Sequence, residues 1–430
     1  MGTSIRFDQK YWQDTVWNYV SFGIQAAAGC AINAIILLWL GTGSLGVFNQ
    51  IYAIFVTCGQ ISVLGLHDSA LKHASEFSDR SDEFQLLSIA ALAVSVLAGF
   101  VGAVLLALSS GVIGHVFQSP DVGRGVLLVA PGLFLFTINK VLMAILNGQR
   151  RMVAFALGQS IRAVAVFMAC YFIVVQKREP YEFGACFTIA EVILFLPLFL
   201  ILRPVKLRLP KFSDMRFWMV RHIRFGSLAL VHGFLSEAYI RIDIIMLGIF
   251  LSDRLVGVYS FASMFLEGVY QVPIVIRNIT NPILVKLLIA QDRQAFVNYT
   301  RRTAFLSLVA TLITSTGVLL IYPYLSFIAP QEVIGSSYII LLTLLAGLLV
   351  FSICIPFDYI FLQAGRPGIQ SIYMTINILV NVLLNFLFIP HWGLYGAGIA
   401  TALAFIISGI LLNVFTVAVL GLPGGLFLKH

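Results

Sequence analysis

Twelve apolar runs, each about 20 residues long, follow one another along this chain of 430 residues. About 20 apolar residues are needed for a helix to cross the hydrocarbon core of a bilayer. Only 11% of the residues are charged, whereas soluble domains carry about 25%. The pattern predicts an all-α integral membrane protein with twelve transmembrane segments at 15–40, 44–67, 85–108, 123–146, 152–175, 181–202, 220–250, 255–282, 303–322, 334–362, 369–389 and 394–420.

The basic residues between the segments indicate an orientation. If the N-terminus is inside, nineteen of the 27 Lys and Arg residues fall in inside loops. The outside loops hold only Arg124, Lys177, Arg178 and Arg254. Since loops on the cytoplasmic side carry an excess of Lys and Arg, we expect both termini to be cytoplasmic. This bias explains the formal net charge of +8 without a nucleic-acid partner.

The most basic loop predicts how the chain is divided into domains. Residues 203–224 contain seven basic residues, suited to anionic lipid or to a partner protein. We expect an N-terminal six-helix lobe at 1–202, a cytoplasmic basic linker at 203–219 and a C-terminal six-helix lobe at 220–430. Short matches between the halves, such as GVF at 46–48 with GVY at 257–259, recur at offsets of 211 to 216 residues. These offsets predict a parallel repeat with a pseudo-two-fold axis.

Charged side chains inside the apolar segments are candidates for function. A charge at the bilayer centre costs on the order of 3 kcal/mol, so such residues need partners or a water-filled cavity. In the seventh segment Glu237 and Arg241 lie one helical turn apart, and Asp243 points to roughly the opposite side. The set comprises the cations Lys140, Arg162, Arg241 and Arg277, the carboxylate Glu191, and four carboxylates that are candidates for ion coupling, Glu237, Asp243, Glu267 and Asp358.

The four carboxylates allow two interpretations. Brought together at membrane depth, they could bind a coupling ion, H⁺ or Na⁺. Alternatively, each carboxylate pairs with a nearby arginine. Polar stripes at helical spacing accompany them, formed by Asn18, Gln25 and Asn33 in the first segment and by Asn377, Asn381 and Asn385 in the eleventh. These stripes would line a polar cavity or form interhelical hydrogen bonds, worth about 0.6 kcal/mol each.

Signals for an enzyme are weak. HExxH, GxSxG and CxxC motifs do not occur, and the five cysteines are scattered through apolar runs. No long outside loop is available to hold a catalytic site. We therefore expect neither catalytic residues nor a bound metal or organic cofactor.

The region from Ile240 to Phe265, IRIDIIMLGIFLSDRLVGVYSFASMF, resembles a known family. Its pattern is similar to that of the polysaccharide flippases of the multidrug/oligosaccharidyl-lipid/polysaccharide exporter superfamily. In both, an Asp (here Asp243) is followed by an apolar run, a Gly (Gly248), a short loop and a turn into the next helix (Gly257 to Tyr259). The segment VLGLHDSALKHAS at 63–75 resembles the end of that family's second helix, with Lys72 where an arginine is common. The twelve segments in two halves also fit, so the resemblance covers nearly the whole chain.

The resemblance implies a flippase of the bacterial cytoplasmic membrane. It would move an undecaprenyl-diphosphate oligosaccharide, as used in O-antigen or exopolysaccharide assembly, from the inner to the outer leaflet. Two lobes would alternate access to a central cavity, and other polysaccharide assembly proteins would be its partners besides membrane lipids. Arg162, Arg241 and Arg277 would hold the diphosphate, because guanidinium offers a fork of donors to phosphate oxygens. Glu237 would then be the resting partner of Arg241, unless the two form a purely structural pair.

Two other functions remain open at this point. A multidrug or small-metabolite antiporter of the same fold would use carboxylates such as Glu237 and Asp358, but would suit a more acidic and aromatic cavity. A membrane enzyme such as a glycan polymerase would need a long outside loop, which the segment pattern lacks.

Overall fold

The computed structural model describes residues 9–78, 81–202, 211–290, 292–422 and 424–428. Within these ranges the secondary structure is helical, without strands. The helices in chain order are α1 (Gln9–Val63), α2 (Leu66–Glu76), α3 (Ser81–Val116), α4 (Pro120–Gly148), α5 (Met152–Val175), α6 (Phe183–Leu202), α7 (Phe212–Phe250), α8 (Asp253–Ala290), α9 (Arg293–Ile321), α10 (Gln331–Ser352), α11 (Ile360–Gln363) and α12 (Pro367–Leu420).

Helix α1 contains two of the predicted segments, joined at a sharp bend. Gly41 has φ of 82° and ψ of −177°, a conformation essentially restricted to glycine. Asn33 and Asn49 lie 16 residues apart, which would separate them by about 24 Å along a straight helix. The Asn49 side-chain amide instead donates to Asn33 Oδ1 at 3.1 Å. The two arms of α1 therefore form an antiparallel hairpin.

Helix α12 is built in the same way. Its bend is at Gly393, with φ of 56° and ψ of −130°. Tyr373 Oη, before the bend, donates to the Ser408 carbonyl at 3.1 Å, although 35 residues separate the two positions. The eleventh and twelfth segments are thus two arms of one hairpin.

The twelve-segment prediction is confirmed. α1 and α12 hold two segments each, and α3 to α10 hold one each. Nine helices in the described residues are long and apolar enough to cross a membrane. The charged helix α7 is not among these nine, and α1 and α12 are each long enough for two crossings. The chain is therefore a multi-pass membrane protein.

The tenth segment needs a correction at its end. The prediction extended it to residue 362, but α10 ends at Ser352, followed by a 3-10 turn at Ile355–Phe357 and the short helix α11. Pro356 has no N–H to bond the carbonyl four residues earlier, which is that of Ser352. The Ser307 hydroxyl of α9 donates to this carbonyl at 2.6 Å instead. Asp358 consequently lies in a break between helices.

The described residues divide into two compact units, one ending at Glu237 and the other beginning at Ala238. This division lies within α7, beyond the predicted linker at 203–219. Residues 203–210 lie outside the described ranges, and α7 is helical from Phe212. The early turns of α7 pack against α3, because buried Trp218 contacts Leu87 and Ala90. The first unit therefore contains residues that the sequence assigned to the linker and to the second lobe.

The packing of each unit follows from its apolar faces. In the first unit α4 is central: it packs against α3, α6 and the hairpin α1. In the second unit α10 packs against α8, α9 and α12.

Two helix starts are capped by side chains. Ser119 Oγ accepts from Val122 N at 3.3 Å at the start of α4, and Asp292 Oδ1 accepts from Ala295 N at 2.9 Å at the start of α9.

Candidate functional site

In the first unit, Arg162 of α5 is held by a buried carboxylate of α6. Its Nε lies 2.8 Å from Glu191 Oε1, and its Nη2 donates to Glu191 Oε2 at 3.3 Å. The Glu191 side chain is 2% exposed and that of Arg162 is 23% exposed. Asn139 of α4 completes the arrangement, donating to Glu191 Oε2 at 2.8 Å. One edge of the guanidinium group is thus fixed by two-point contact, while part of the side chain stays accessible.

Lys140, beside Asn139 on α4, has a different environment. Its Nζ donates to Gln60 Oε1 of α1 at 2.7 Å. Among the described residues no carboxylate lies within ion-pair distance of the Lys140 ammonium group. The carboxylates of Glu237 and Asp68 attract it only from a longer distance. The ammonium group and the Arg162 guanidinium lie 5.5 and 5.3 Å from the centre of the Phe136 ring. Two cations therefore contact one aromatic ring, and within the described part of the chain only Arg162 has an ion-pair partner.

In the second unit, Arg241 of α7 pairs with Glu267 of α8. Arg241 Nη1 lies 3.3 Å from Glu267 Oε1. The Arg241 side chain is 13% exposed and that of Glu267 is 44% exposed. The predicted contact between Glu237 and Arg241 stays a prediction, because the two residues belong to different units.

Arg277 of α8 pairs with Asp358 in the break after α10. Arg277 Nη1 lies 2.9 Å from Asp358 Oδ2, and the side chains are 14% and 12% exposed. The guanidinium also stacks on Tyr359, 4.3 Å from the ring centre. Gln370 of α12 donates to the Asp358 carbonyl at 2.9 Å. For Glu267 and Asp358 the structure thus shows the arginine pairing that the sequence left open.

Asp243 differs from the other carboxylates because its described partners are neutral. Its Oδ2 accepts from Tyr259 Oη at 3.2 Å and from Thr401 Oγ1 at 2.8 Å, and its Oδ1 accepts from Asn385 Nδ2 at 2.9 Å. Asn385 also donates to Asn381 Oδ1. Among the described residues no cation lies within ion-pair distance of Asp243. Helices α7, α8 and α12 therefore surround one carboxylate with hydroxyl and amide groups.

The two polar stripes have different roles. In α1, Asn18, Gln25 and Asn33 each donate to a carbonyl four residues earlier, at 2.8, 3.3 and 2.8 Å. These bonds stay within the first arm of α1, and Asn33 Oδ1 also accepts from Asn49 of the second arm at 3.1 Å. In α12, Asn377, Asn381 and Asn385 are all buried, at 5%, 3% and 0% exposure. Asn381 and Asn385 belong to the Asp243 cluster.

Several partners were missed by sequence reasoning. Gln60, Phe136 and Asn139 in the first unit, and Tyr259 and Thr401 in the second, complete the two sites. A polar residue within an apolar run, such as Gln60 or Asn139, was the available signal. Among the described residues no group of three or more His, Cys, Asp or Glu side chains is placed to hold a metal ion.

Comparison with known proteins places this arrangement in a known fold. Residues 229–387 match the protein family described as MatE. No curated protein sequence matches the chain. Among solved structures, an inward-facing multidrug resistance MATE family transporter of the MOP superfamily matches with a TM-score of 0.76 and 14% identity, covering 95% of this chain and 100% of that one. The lipid II flippase MurJ in an inward closed conformation has a TM-score of 0.74 and 15% identity, covering 92% and 86%.

A third match is a MOP superfamily transporter from Pyrococcus furiosus, described as having a binding pocket of reverse polarity, with a TM-score of 0.59, 15% identity and 93% coverage of both chains. At these identities the likeness concerns the fold, and it includes proteins named as drug transporters and as a lipid flippase. The two compact units and twelve membrane segments described above therefore form the fold shared by MATE transporters and MurJ.

Proposed function

We propose that this protein is a flippase that moves a lipid-linked oligosaccharide, carried on undecaprenyl diphosphate, from the inner to the outer leaflet. Its membrane would be the bacterial cytoplasmic membrane, with both termini cytoplasmic, and its two lobes would alternate access to the substrate. Likeness in fold to the lipid II flippase MurJ supports a lipid-linked substrate.

One observation carries this proposal: Lys140 and Arg162 contact the same Phe136 ring, and among the described residues Glu191 is the one carboxylate in ion-pair contact with them. A cation at membrane depth is costly without a partner. An anionic substrate group would supply that partner, and a diphosphate suits both an ammonium and a guanidinium group. A cationic drug would be repelled at the same position.

Ion coupling is the second part of the proposal, and we place it at Asp243. Glu267 and Asp358 each have an arginine within ion-pair distance, so a coupling cation would have to compete with a fixed charge. Asp243 has neutral partners, and oxygens of Thr401 and Asn381 lie in the same cluster. A proton or Na⁺ bound there would neutralise a buried carboxylate, which lowers the cost of its burial.

The alternative is a multidrug or small-metabolite cation antiporter of the same fold. The likeness to a multidrug resistance MATE transporter favours it. It would use the carboxylates of the second unit and would gain nothing from the cation pair at Phe136. The two functions therefore predict opposite effects of removing those cations.

The test uses the full chain in proteoliposomes containing a lipid-linked oligosaccharide. Flipping is measured as the fraction of glycan that an added glycosidase can cleave, and export of ethidium is measured in parallel. Charged hydrogen bonds contribute about 1.5–3 kcal/mol, so Lys140→Gln and Arg162→Lys should each flip roughly tenfold to hundredfold more slowly. Arg254→Gln, which removes a basic residue of the second unit outside this site, is the matched control.

The outcomes separate the two functions. Flipping by the wild type that falls in the two site variants and persists in Arg254→Gln supports the flippase. Ethidium export without glycan flipping, unchanged or faster in Lys140→Gln, would show the antiporter instead.

A further inference from the structure

An elongated apolar groove lies between α4, α5 and α6 of the first unit. Its volume is about 1050 Å³, at the upper end of the range of about 300–1,000 Å³ typical for ligand pockets. The lining side chains are mostly aliphatic, and Met168 and Phe172 of α5 and Ile189 of α6 are 56%, 58% and 45% exposed. The groove is thus an open apolar channel along the side of the unit, suited to a hydrocarbon chain.

The length of the groove restricts which hydrocarbon chain fits. Its lining follows α5 from Leu157 to Ile173, which is about 24 Å at 1.5 Å per residue. Half of the hydrocarbon core measures about 15 Å, and this is the depth that a phospholipid acyl chain in one leaflet reaches. The groove is therefore longer than one leaflet is deep, and it matches a chain longer than that of a glycerophospholipid.

One end of the groove is polar. Arg178, Tyr181 and Glu182 line it there, with Arg178 Nη1 4.0 Å from Glu182 Oε1. The Arg124 guanidinium of α4 lies 5.7 Å from the centre of the Tyr181 ring. Arg124 in turn lines a second pocket of about 600 Å³, together with Ser110, His115 and Gln118. Apolar groove and polar pocket therefore meet at Arg124 and Tyr181.

Two basic residues line the cavities at this end. The sequence places only four Lys and Arg residues in outside loops. Arg124 and Arg178 line the two cavities, and Lys177 precedes Arg178 in the chain. Two of the four outside cations thus line the cavities at the groove end, beside the Glu182 carboxylate. The guanidinium groups of Arg124 and Arg178 suit phosphate oxygens.

We infer that this groove holds the isoprenoid chain of a long-chain polyprenyl diphosphate, with the diphosphate head at Arg124 and Arg178. The inference rests on the proposed function and adds a lateral site for the lipid carrier, separate from the cation pair at Phe136. In the orientation predicted from the basic residues, the head lies on the outer side, where the flipped lipid leaves the protein.

The experiment measures binding, which needs no transport. The purified full chain in phosphatidylcholine nanodiscs is incubated with undecaprenyl diphosphate bearing a photoreactive group within its chain, and crosslinked peptides are identified by mass spectrometry. Crosslinks are expected on α5 and α6. Unlabelled undecaprenyl diphosphate should compete, whereas farnesyl diphosphate, with the same head and a short chain, and phosphatidylglycerol, with an anionic head and shorter chains, should compete at least roughly tenfold more weakly.

Matched variants locate the site. Ile189→Trp fills the groove and should lower capture roughly tenfold. Leu196→Trp adds the same ring at a 62% exposed position of the same helix that does not line the groove, and should capture as the wild type does. Arg124→Gln combined with Arg178→Gln tests the head end without changing the apolar lining of the groove, and Arg254→Gln is its control. If Ile189→Trp fails to fold, the double arginine variant and its control still test the inference.

Three results would overturn the inference: equal competition by phosphatidylglycerol, capture by Ile189→Trp equal to that by Leu196→Trp, or capture unaffected by the double arginine variant. In each case a wild type that still flips glycan leaves the proposed function standing. A wild type that captures the probe in the groove without flipping glycan would reject the proposed function and keep the lateral lipid site.

Discussion

Arg277 of α8 and Asp358, which follows the end of α10, form an ion pair with 2.9 Å between Nη1 and Oδ2. The pair joins an intact helix to a helix break, and the Tyr359 ring covers the guanidinium at 4.3 Å. Pro356 creates the break. The ion pair gives the Asp358 carboxylate, which lies in this break, a fixed partner.

The first prediction concerns the stability of this pair. Asp358→Asn leaves a largely buried guanidinium without its counter-charge, so we expect a loss of about 3 kcal/mol in the free energy of unfolding. Arg277→Met combined with Asp358→Leu removes both charges and should recover most of that loss. Thermal unfolding in detergent measures both, with the exposed Asp214→Asn as control. A double variant as unstable as the single one would show that the pair is not the source of the loss.

The second prediction separates Asp243 from the other carboxylates. Asp243→Asn keeps an oxygen to accept from Tyr259 and Thr401 but removes the charge. We expect normal folding and transport that no longer responds to the H⁺ or Na⁺ gradient. Glu267→Gln, where Arg241 already occupies the carboxylate, should keep the gradient dependence. The measurement is transport in proteoliposomes with each gradient imposed in turn, and unchanged dependence in Asp243→Asn would contradict coupling at that residue.

The third prediction tests the contact between α10 and α12. A Cβ on Gly347 would lie 2.4 Å from Ala402 Cα, whereas a Cβ on Gly335 of the same helix meets nothing within 4 Å. Gly347→Ala should lower the free energy of unfolding by about 1–3 kcal/mol through overpacking. Gly335→Ala should be neutral or slightly stabilising, since alanine favours helix. Unfolding in detergent compares the two, and equal stability would mean that the contact is looser than the structure shows.

The fourth prediction is a pH dependence at the contact between α2 and α7. Burial is the main factor that lowers the pKa of His73, assisted by Arg221 and Lys72, while Glu76 acts in the opposite direction; the His222 ring lies 5.7 Å away. Because the unfolded chain holds this proton more readily, stability that is present above pH about 6.5 should be lost as the pH falls below it.

The measurement is the thermal midpoint in detergent across this pH range. His73→Gln should show a shallower decline than the wild type, and His391→Gln, at an exposed position, should show the wild-type profile. A wild-type decline retained in His73→Gln would assign it to other groups.

The fifth prediction is topological. Cysteine labelling from outside cells should reach Glu332→Cys, before the tenth segment, and should not reach Arg216→Cys at the start of α7. Both positions are exposed in the structure, so a difference in labelling reports the side of the membrane. Reversed labelling would contradict the orientation inferred from the basic residues.

The apolar runs were sufficient to predict the membrane-spanning helices, although not the break that follows Ser352. A helix that crosses a membrane must satisfy its backbone hydrogen bonds internally and be about 20 apolar residues long. Both requirements are local, and for this reason the prediction located the hairpin bends near Gly41 and Gly393 as gaps between segments. It also identified the charged residues at membrane depth, because a residue's position within an apolar segment is enough to place its charge in the bilayer, where burial is costly.

Tertiary structure alone decided which groups those charges meet. Helical spacing relates only residues on the same helix, such as Glu237 and Arg241, whereas the contacts seen here join α5 to α6 at Arg162 and Glu191, and α7 to α8 at Arg241 and Glu267. The neutral partners of Asp243, and the lack of an ion-pair partner for Lys140 among the residues that the structure describes, likewise depend on the packing of three or more helices. That packing is set by side-chain shape across interfaces between residues far apart in the chain, and no local pattern encodes it.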